Sequence, residues 1–193
     1  MKIEIMSEAG YYEALYGIGL SYNIVPDFWK LEDEDKEKLY AISLKLCSKD
    51  GGHNKFLESM QVWIDITAPR YWWQEADTYR VGCSKQSQST MHTISKRYLE
   101  QSDFVYPIDD SYLMKLNELV AYHNTTKDID SFLKLKNMLP EGFLQRRIWN
   151  LNYKVLRNIF KQRKNHRLPE WKYFCINVFN NLEFAEYMED IMK

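Results

Sequence analysis

Three side chains late in the chain carry the chemistry most open to a functional reading: Asn152, Asn158 and Arg163, two amides and a guanidinium inside a basic stretch. From Leu144 to Pro169 the sequence holds eight Lys or Arg and no Asp or Glu, whereas the rest of the chain carries 18 basic and 27 acidic side chains. A net charge of −1 therefore hides a local cationic field that can collect phosphates. Nucleotide, flavin and nucleic acid all suit such a field.

The elements that must position these groups can be read locally. Phe143 to Leu151 reads as extended, with Ile148, Asn150 and Asn152 facing one way and Trp149 and Leu151 the other. Asn152 suits a helix cap, because its side-chain oxygen can accept from a free N–H of the first turn. The helix that follows has Val155, Leu156, Ile159 and Phe160 at core spacing, and Arg163 continues the Leu156/Ile159 row. An Arg in that place either snorkels at the rim or is held inward by an anion, and the sequence leaves both open.

On these residues the chain resembles the flavin-dependent thymidylate synthases. That family has a late segment of Leu-Pro, then Trp, Asn, Asn and Arg at fixed spacing, matched without a gap by Leu139-Pro140, Trp149, Asn152, Asn158 and Arg163. A second match is Gly52-His53 followed by Glu58, then a strand, Ala68-Pro69 and a helix. The resemblance implies an α+β fold, a long antiparallel sheet flanked by helices, over residues 1–193 as a single domain. It implies flavin contacts at Ser21, His53, Arg80, Asn152 and Asn158. It implies a pyrimidine nucleotide held by Lys136, Ser87, Gln88, Ser89 and Arg163, with Arg163 also catalytic: its charge would favour ionisation of the ring N3 and so make a ring carbon nucleophilic. FAD is the implied cofactor, NADPH and methylenetetrahydrofolate the co-substrates, deoxyuridylate or a related pyrimidine nucleotide the substrate, and a homotetramer the working form.

The sequence departs from that family at its signature of Arg-His-Arg followed, seven residues on, by Ser. Here stand Thr78-Tyr79-Arg80 and Gln88, and Thr90 replaces a phosphate-binding Arg. Two lost charge-assisted contacts would each weaken anion binding by about 1.5 to 3 kcal/mol. Ser87 and Ser89 flank the expected serine, so Gln86 to Thr90 is either a polar surface loop or a remodelled substrate loop. Lys136 keeps the charge of a family Arg and loses its planar fork. Three readings follow: a divergent enzyme of this kind, a fold relative that keeps a nucleotide or flavin pocket without thymidylate synthesis, and a nucleic-acid surface built on residues 144–169. The third predicts exposed Arg146, Arg157, Lys161 and Lys164, and no nucleic-acid motif accompanies it.

Composition sets outer bounds. A chain of 193 residues can bury roughly 70% of its unfolded surface. Three scattered cysteines, Cys47, Cys83 and Cys175, form no CxxC pair, so no disulfide framework or metal site is expected and a reducing cytoplasm suits the protein. No apolar run reaches membrane-spanning or signal-peptide length. Elsewhere the pattern predicts a strand over Lys2 to Met6, helices over Glu8 to Leu20 (weakened at its end by Gly17 and Gly19), Asp33 to Lys49, Arg70 to Arg80, Tyr112 to His123 and Asp128 to Met138, and one last helix from Trp171 to Met192. Met60 to Ile66 alternates as the clearest strand.

Overall fold

The computed structural model describes residues 1–24, 32–49 and 51–193. In chain order the elements are β1 (Lys2–Ala9), α1 (Tyr11–Tyr22), α2 (Asp33–Cys47), a 3-10 turn (Lys55–Glu58), β2 (Gln61–Pro69), α3 (Arg70–Ala76), β3 (Cys83–Ser87), α4 (Thr90–Thr93), α5 (Asp110–Thr126), α6 (Ile129–Met138), β4 (Leu144–Asn152), α7 (Tyr153–Arg163), α8 (Pro169–Asn181), a 3-10 turn (Ala185–Met188) and α9 (Glu189–Met192). The strands form one antiparallel sheet in the order β1-β2-β4-β3. Its register is pinned where Tyr153 N donates to Met60 O and Arg70 N to Phe143 O, and where Asn152 N donates to Gly82 O and Gln88 N to Arg146 O.

Two compact units divide the chain: Met1–Lys2, Ile66–Tyr79 and Gln86–Ile148 form the first, and Ile3–Asp65, Arg80–Lys85 and Trp149–Lys193 the second. The alternation of β2 has the consequence a half-buried strand requires: Met60, Val62, Ile64 and Ile66 are all at most 1% exposed, while Gln61, Trp63, Asp65 and Thr67 are half-buried. The core of the first unit gathers Leu116 and Val120 of α5, Phe132 and Leu135 of α6, and Phe104 and Phe143. In the second, Leu156, Ile159 and Phe160 of α7 are fully buried, as are Trp171, Phe174 and Cys175 of α8.

Several boundaries differ from the sequence reading, each for a local reason. α1 starts at Tyr11 and not Glu8, because β1 runs on to Ala9, and it ends at Tyr22, two residues past the expected Leu20, with Asn23 in the left-handed region (φ 55°). The buried stripe of α2 is Leu39, Ser43 and Cys47, with Ile42 and Leu46 only half-buried; Ser43 can be buried because its hydroxyl bonds both Tyr40 O and Tyr187 Oη, each at 2.6 Å. α5 begins at Asp110, two residues before the expected Tyr112, because the Asp109 carboxylate caps it by accepting from Ser111 N and Tyr112 N. Residues 83–87 form a strand, because their backbone pairs with β4 even though the side chains show no apolar alternation. The last helix breaks at Leu182 and resumes as a 3-10 turn and the short α9.

Candidate functional site

In the second unit, α1, Leu46 of α2, the Gly51-Gly52-His53 turn and the 3-10 turn at Lys55–Glu58 line a half-open cavity of about 710 Å³. Ser21, on the last turn of α1, and the exposed His53 both line it, although 32 positions separate them in sequence. Gly17, Gly51 and Gly52 line it too, and a Cβ added at any of them would meet nothing within 4 Å. Gly51 and Gly52 have φ of 72° and 88°, a left-handed pair that glycine adopts without strain. The turn is anchored by the buried Asn54, which donates to Cys47 O at 3.5 Å. The size lies within the range of small-molecule sites, and the lining mixes apolar surface with the polar side chains of Glu13, Ser21, His53, Lys55 and Glu58.

The basic segment supplies the second part of the same unit. Asn152 is 8% exposed and its Oδ1 accepts from Val155 N at 2.9 Å, so the amide caps α7. Its Nδ2 lies against the 80–82 turn, close enough that a Cβ on Gly82 would sit 2.5 Å from it. Arg80, in that turn, is exposed. Asn158 is exposed on α7 and accepts from Gln162 Nε2 at 3.1 Å. Arg163 is half-buried with its guanidinium 4.8 Å from the centre of the Trp171 ring, a cation–π contact that holds it against α8. Lys154, in the first turn of α7, bonds Glu58 of the cavity wall at 2.6 Å.

The first unit holds Lys136, Ser87, Gln88 and Ser89, four of the five residues that the resemblance gives to the nucleotide; the fifth, Arg163, belongs to the second. Lys136, on the last turn of α6, donates to the Thr90 hydroxyl. Burial, and then the nearby charge of Arg70, push the Lys136 ammonium below its ordinary pKa. Arg70 itself donates from Nη1 to Leu139 O at 3.2 Å and pairs with Glu141 at 3.6 Å. Ser87 ends β3 and is exposed; Gln88 is exposed and pairs its backbone with Arg146; Ser89 is half-buried and its carbonyl accepts from Thr93 Oγ1 at 2.8 Å. Thr78 spends its hydroxyl on Glu75 O at 2.7 Å.

Of the four cations that a nucleic-acid surface needs exposed, Arg157 is 3% exposed and chelates Asp190, and Lys164 is half-buried and bonds Ile191 O. Charge density alone could not reveal this, since Asp190 lies 33 positions away. Sequence reasoning also missed Glu8, which accepts from the Tyr153 hydroxyl and from Glu183 N at 2.6 Å beneath the start of α7. Burial raises the Glu8 carboxyl above the ordinary range. Among the described residues no cluster of His, Cys, Asp or Glu could hold a metal ion, and no helix is long and apolar enough to cross a membrane.

The sheet order, the helices around it and the segment that runs from β4 into α7 define a flavin-dependent thymidylate synthase fold. Solved structures similar to the chain include the following two. The flavin-dependent thymidylate synthase ThyX of Helicobacter pylori complexed with FAD and dUMP superposes with a TM-score of 0.79 at 18% identity, covering 100% of each chain. A second structure of thymidylate synthase X from Helicobacter pylori, with FAD and dUMP, gives 0.75 at 19% identity and the same coverage. No family model matches the sequence, and no curated protein matches it.

Proposed function

We propose that the protein is a divergent flavin-dependent thymidylate synthase-like enzyme that transfers a one-carbon unit to deoxyuridylate or a related pyrimidine nucleotide. The observation that carries this reading is the convergence of Ser21, His53 and a glycine-lined turn on one cavity, in a fold shared over its whole length with proteins that hold FAD and dUMP. The cavity suits the cofactor: it is large enough for a flat ring system, and the left-handed Gly51-Gly52 pair can turn backbone N–H groups toward an anion. Ser21, His53, Arg80, Asn152 and Asn158 are the residues assigned to hold FAD, which would supply hydride from NADPH to the one-carbon unit brought by methylenetetrahydrofolate.

Arg163 is assigned to the pyrimidine. A guanidinium is a permanent cation, so beside the ring it favours the ionised N3 without having to be charged first. Lys136, with Ser87, Gln88 and Ser89, is assigned to the nucleotide. Because a half-buried ammonium is costly to desolvate, a phosphate beside it would favour its charged form, which gives the site a preference for anions. The sites of the family's tetramer lie between subunits, and the same assembly is proposed here, in the cytoplasm.

One observation favours a second reading. At positions 78 and 90 neutral hydroxyls replace the family's cations, and both are spent on internal bonds, to Glu75 O and Lys136. A protein that binds the ligands but has lost synthesis would look like this. Tritium release from labelled deoxyuridylate separates the two: release that disappears in Arg163→Ala supports the enzyme. Bound deoxyuridylate without release supports the binding protein.

A further inference from the structure

The helix that carries Asn158 and Arg163 is gripped by the last eleven residues of the chain. Arg157, 3% exposed, places its two guanidinium nitrogens on the two Asp190 oxygens at 2.7 Å each, and one of them also donates to Tyr187 O. Lys164 Nζ donates to Ile191 O. The two gripped residues are the sequence neighbours of Asn158 and Arg163. The same C-terminal residues reach the cavity walls. Phe184 stacks on Tyr11, at the start of α1, with ring centres 3.9 Å apart and planes 12° from parallel. Tyr187 hydrogen-bonds Ser43 of α2 at 2.6 Å and lies 5.8 Å from the Phe56 ring of the 3-10 turn. One short segment therefore touches both α7 and three elements that wall the cavity.

A segment that only completed the hydrophobic core would need Tyr187, Met188 and Ile191, which are buried, and no charge. Instead it brings a carboxylate to a guanidinium sunk in the core, an arrangement whose loss leaves a buried charge without a counterion. The Asp190 side chain is 43% exposed, so the pair sits at the edge of the core, and its two-pronged geometry is directional where apolar contact is not. We propose that residues 183–192 form a positioning clamp, in which Arg157 and Tyr187 hold α7 in register with the cavity walls, so that releasing Asp190 loosens helix and cavity together. Arg157 and Tyr187 are thus positioning residues; that their object is a flavin and nucleotide site rests on the function proposed above.

Amide hydrogen exchange on the full chain tests the clamp without any ligand. In Asp190→Asn, amides of α7 and of Lys55–Glu58 are expected to exchange about tenfold faster, with the Met60–Ile66 core and α5 unchanged, and Asp190→Glu is expected to restore most of the protection. Faster exchange confined to α9 overturns the proposal, and so does a uniform rise across the chain, which would mean plain destabilisation. Should Asp190→Asn fail to fold, Lys164→Met, which has no donor for Ile191 O, must still loosen α7 and Lys55–Glu58 together. A parallel FAD titration is expected to show about fivefold weaker binding in Asp190→Asn. Wild-type protein that takes up no FAD would sink the flavin reading while leaving the exchange result to decide the clamp.

Discussion

Replacing Gly82 with Ala should cost far more than the same change at a glycine with equal backbone strain. Gly82 has φ of 67°, and a Cβ there would lie 2.5 Å from Asn152 Nδ2 and 3.0 Å from Val155 Cγ2. The left-handed conformation alone costs a non-glycine residue about 1 kcal/mol. The contact must then be relieved by moving the Asn152 amide, whose Oδ1 caps α7, and losing an N-cap costs about 1 kcal/mol. Together with about 1 kcal/mol of overpacking at Val155, the total is about 2–3 kcal/mol. Gly51, at φ 72° with nothing within 4 Å of an added Cβ, carries the strain alone, and Gly51→Ala should cost about 1 kcal/mol. Urea denaturation followed by tryptophan fluorescence measures both; for a slope of about 2 kcal/mol per M, the midpoints should differ by roughly 0.5–1 M. Asn152→Ala should absorb part of the Gly82→Ala penalty in the double variant, since the two residues share one contact. Equal losses for Gly82→Ala and Gly51→Ala would refute the claimed packing of the 80–82 turn on the cap of α7.

Three other outcomes follow from the site and its supports. Lys136→Ala should weaken deoxyuridylate binding by about tenfold and leave FAD binding unchanged, read by parallel titrations; an equal loss of both would detach Lys136 from the nucleotide. Thiol labelling of native protein near pH 8 should modify the half-buried Cys83 first, while Cys47 stays slow and Cys175, buried and pushed up to about 12, reacts only on unfolding. Asp128, held down to about 2 by bonds from the Thr126 hydroxyl and Ser131 N, caps α6. Its folded-state value is below the ordinary one, so its contribution is present above about pH 4 and is lost as pH falls toward 2. A carboxyl titration by NMR should show that low midpoint, and an ordinary midpoint would remove the cap.

The sequence told most where local physics decides. The alternation of Met60 to Ile66, the Asn152 cap and the apolar row of α7 are set by residues within a turn or two of one another. Likewise the spacing of Asn152, Asn158 and Arg163 identified the segment that the fold places at the junction of β4 and α7. Long-range pairing stayed hidden. Gln86 and Ser87, the end of β3, read as part of a surface loop or a remodelled substrate loop, because the strand's place comes from backbone bonds to β4 and not from its side chains. Arg157 reads as one more surface cation until Asp190 is brought to it. The break at Leu182 had a faint signal, since the apolar stripe lengthens its step from Leu182 to Tyr187 just after Asn180-Asn181.

The direct test of the flavin and nucleotide site is the visible absorption spectrum of the purified chain mixed with FAD, with and without deoxyuridylate. The account predicts flavin that stays with the protein through gel filtration, with an absorption band that shifts when deoxyuridylate is added and does not shift in Arg163→Ala. Flavin that elutes wholly free of the protein, whether or not deoxyuridylate is present, would contradict it.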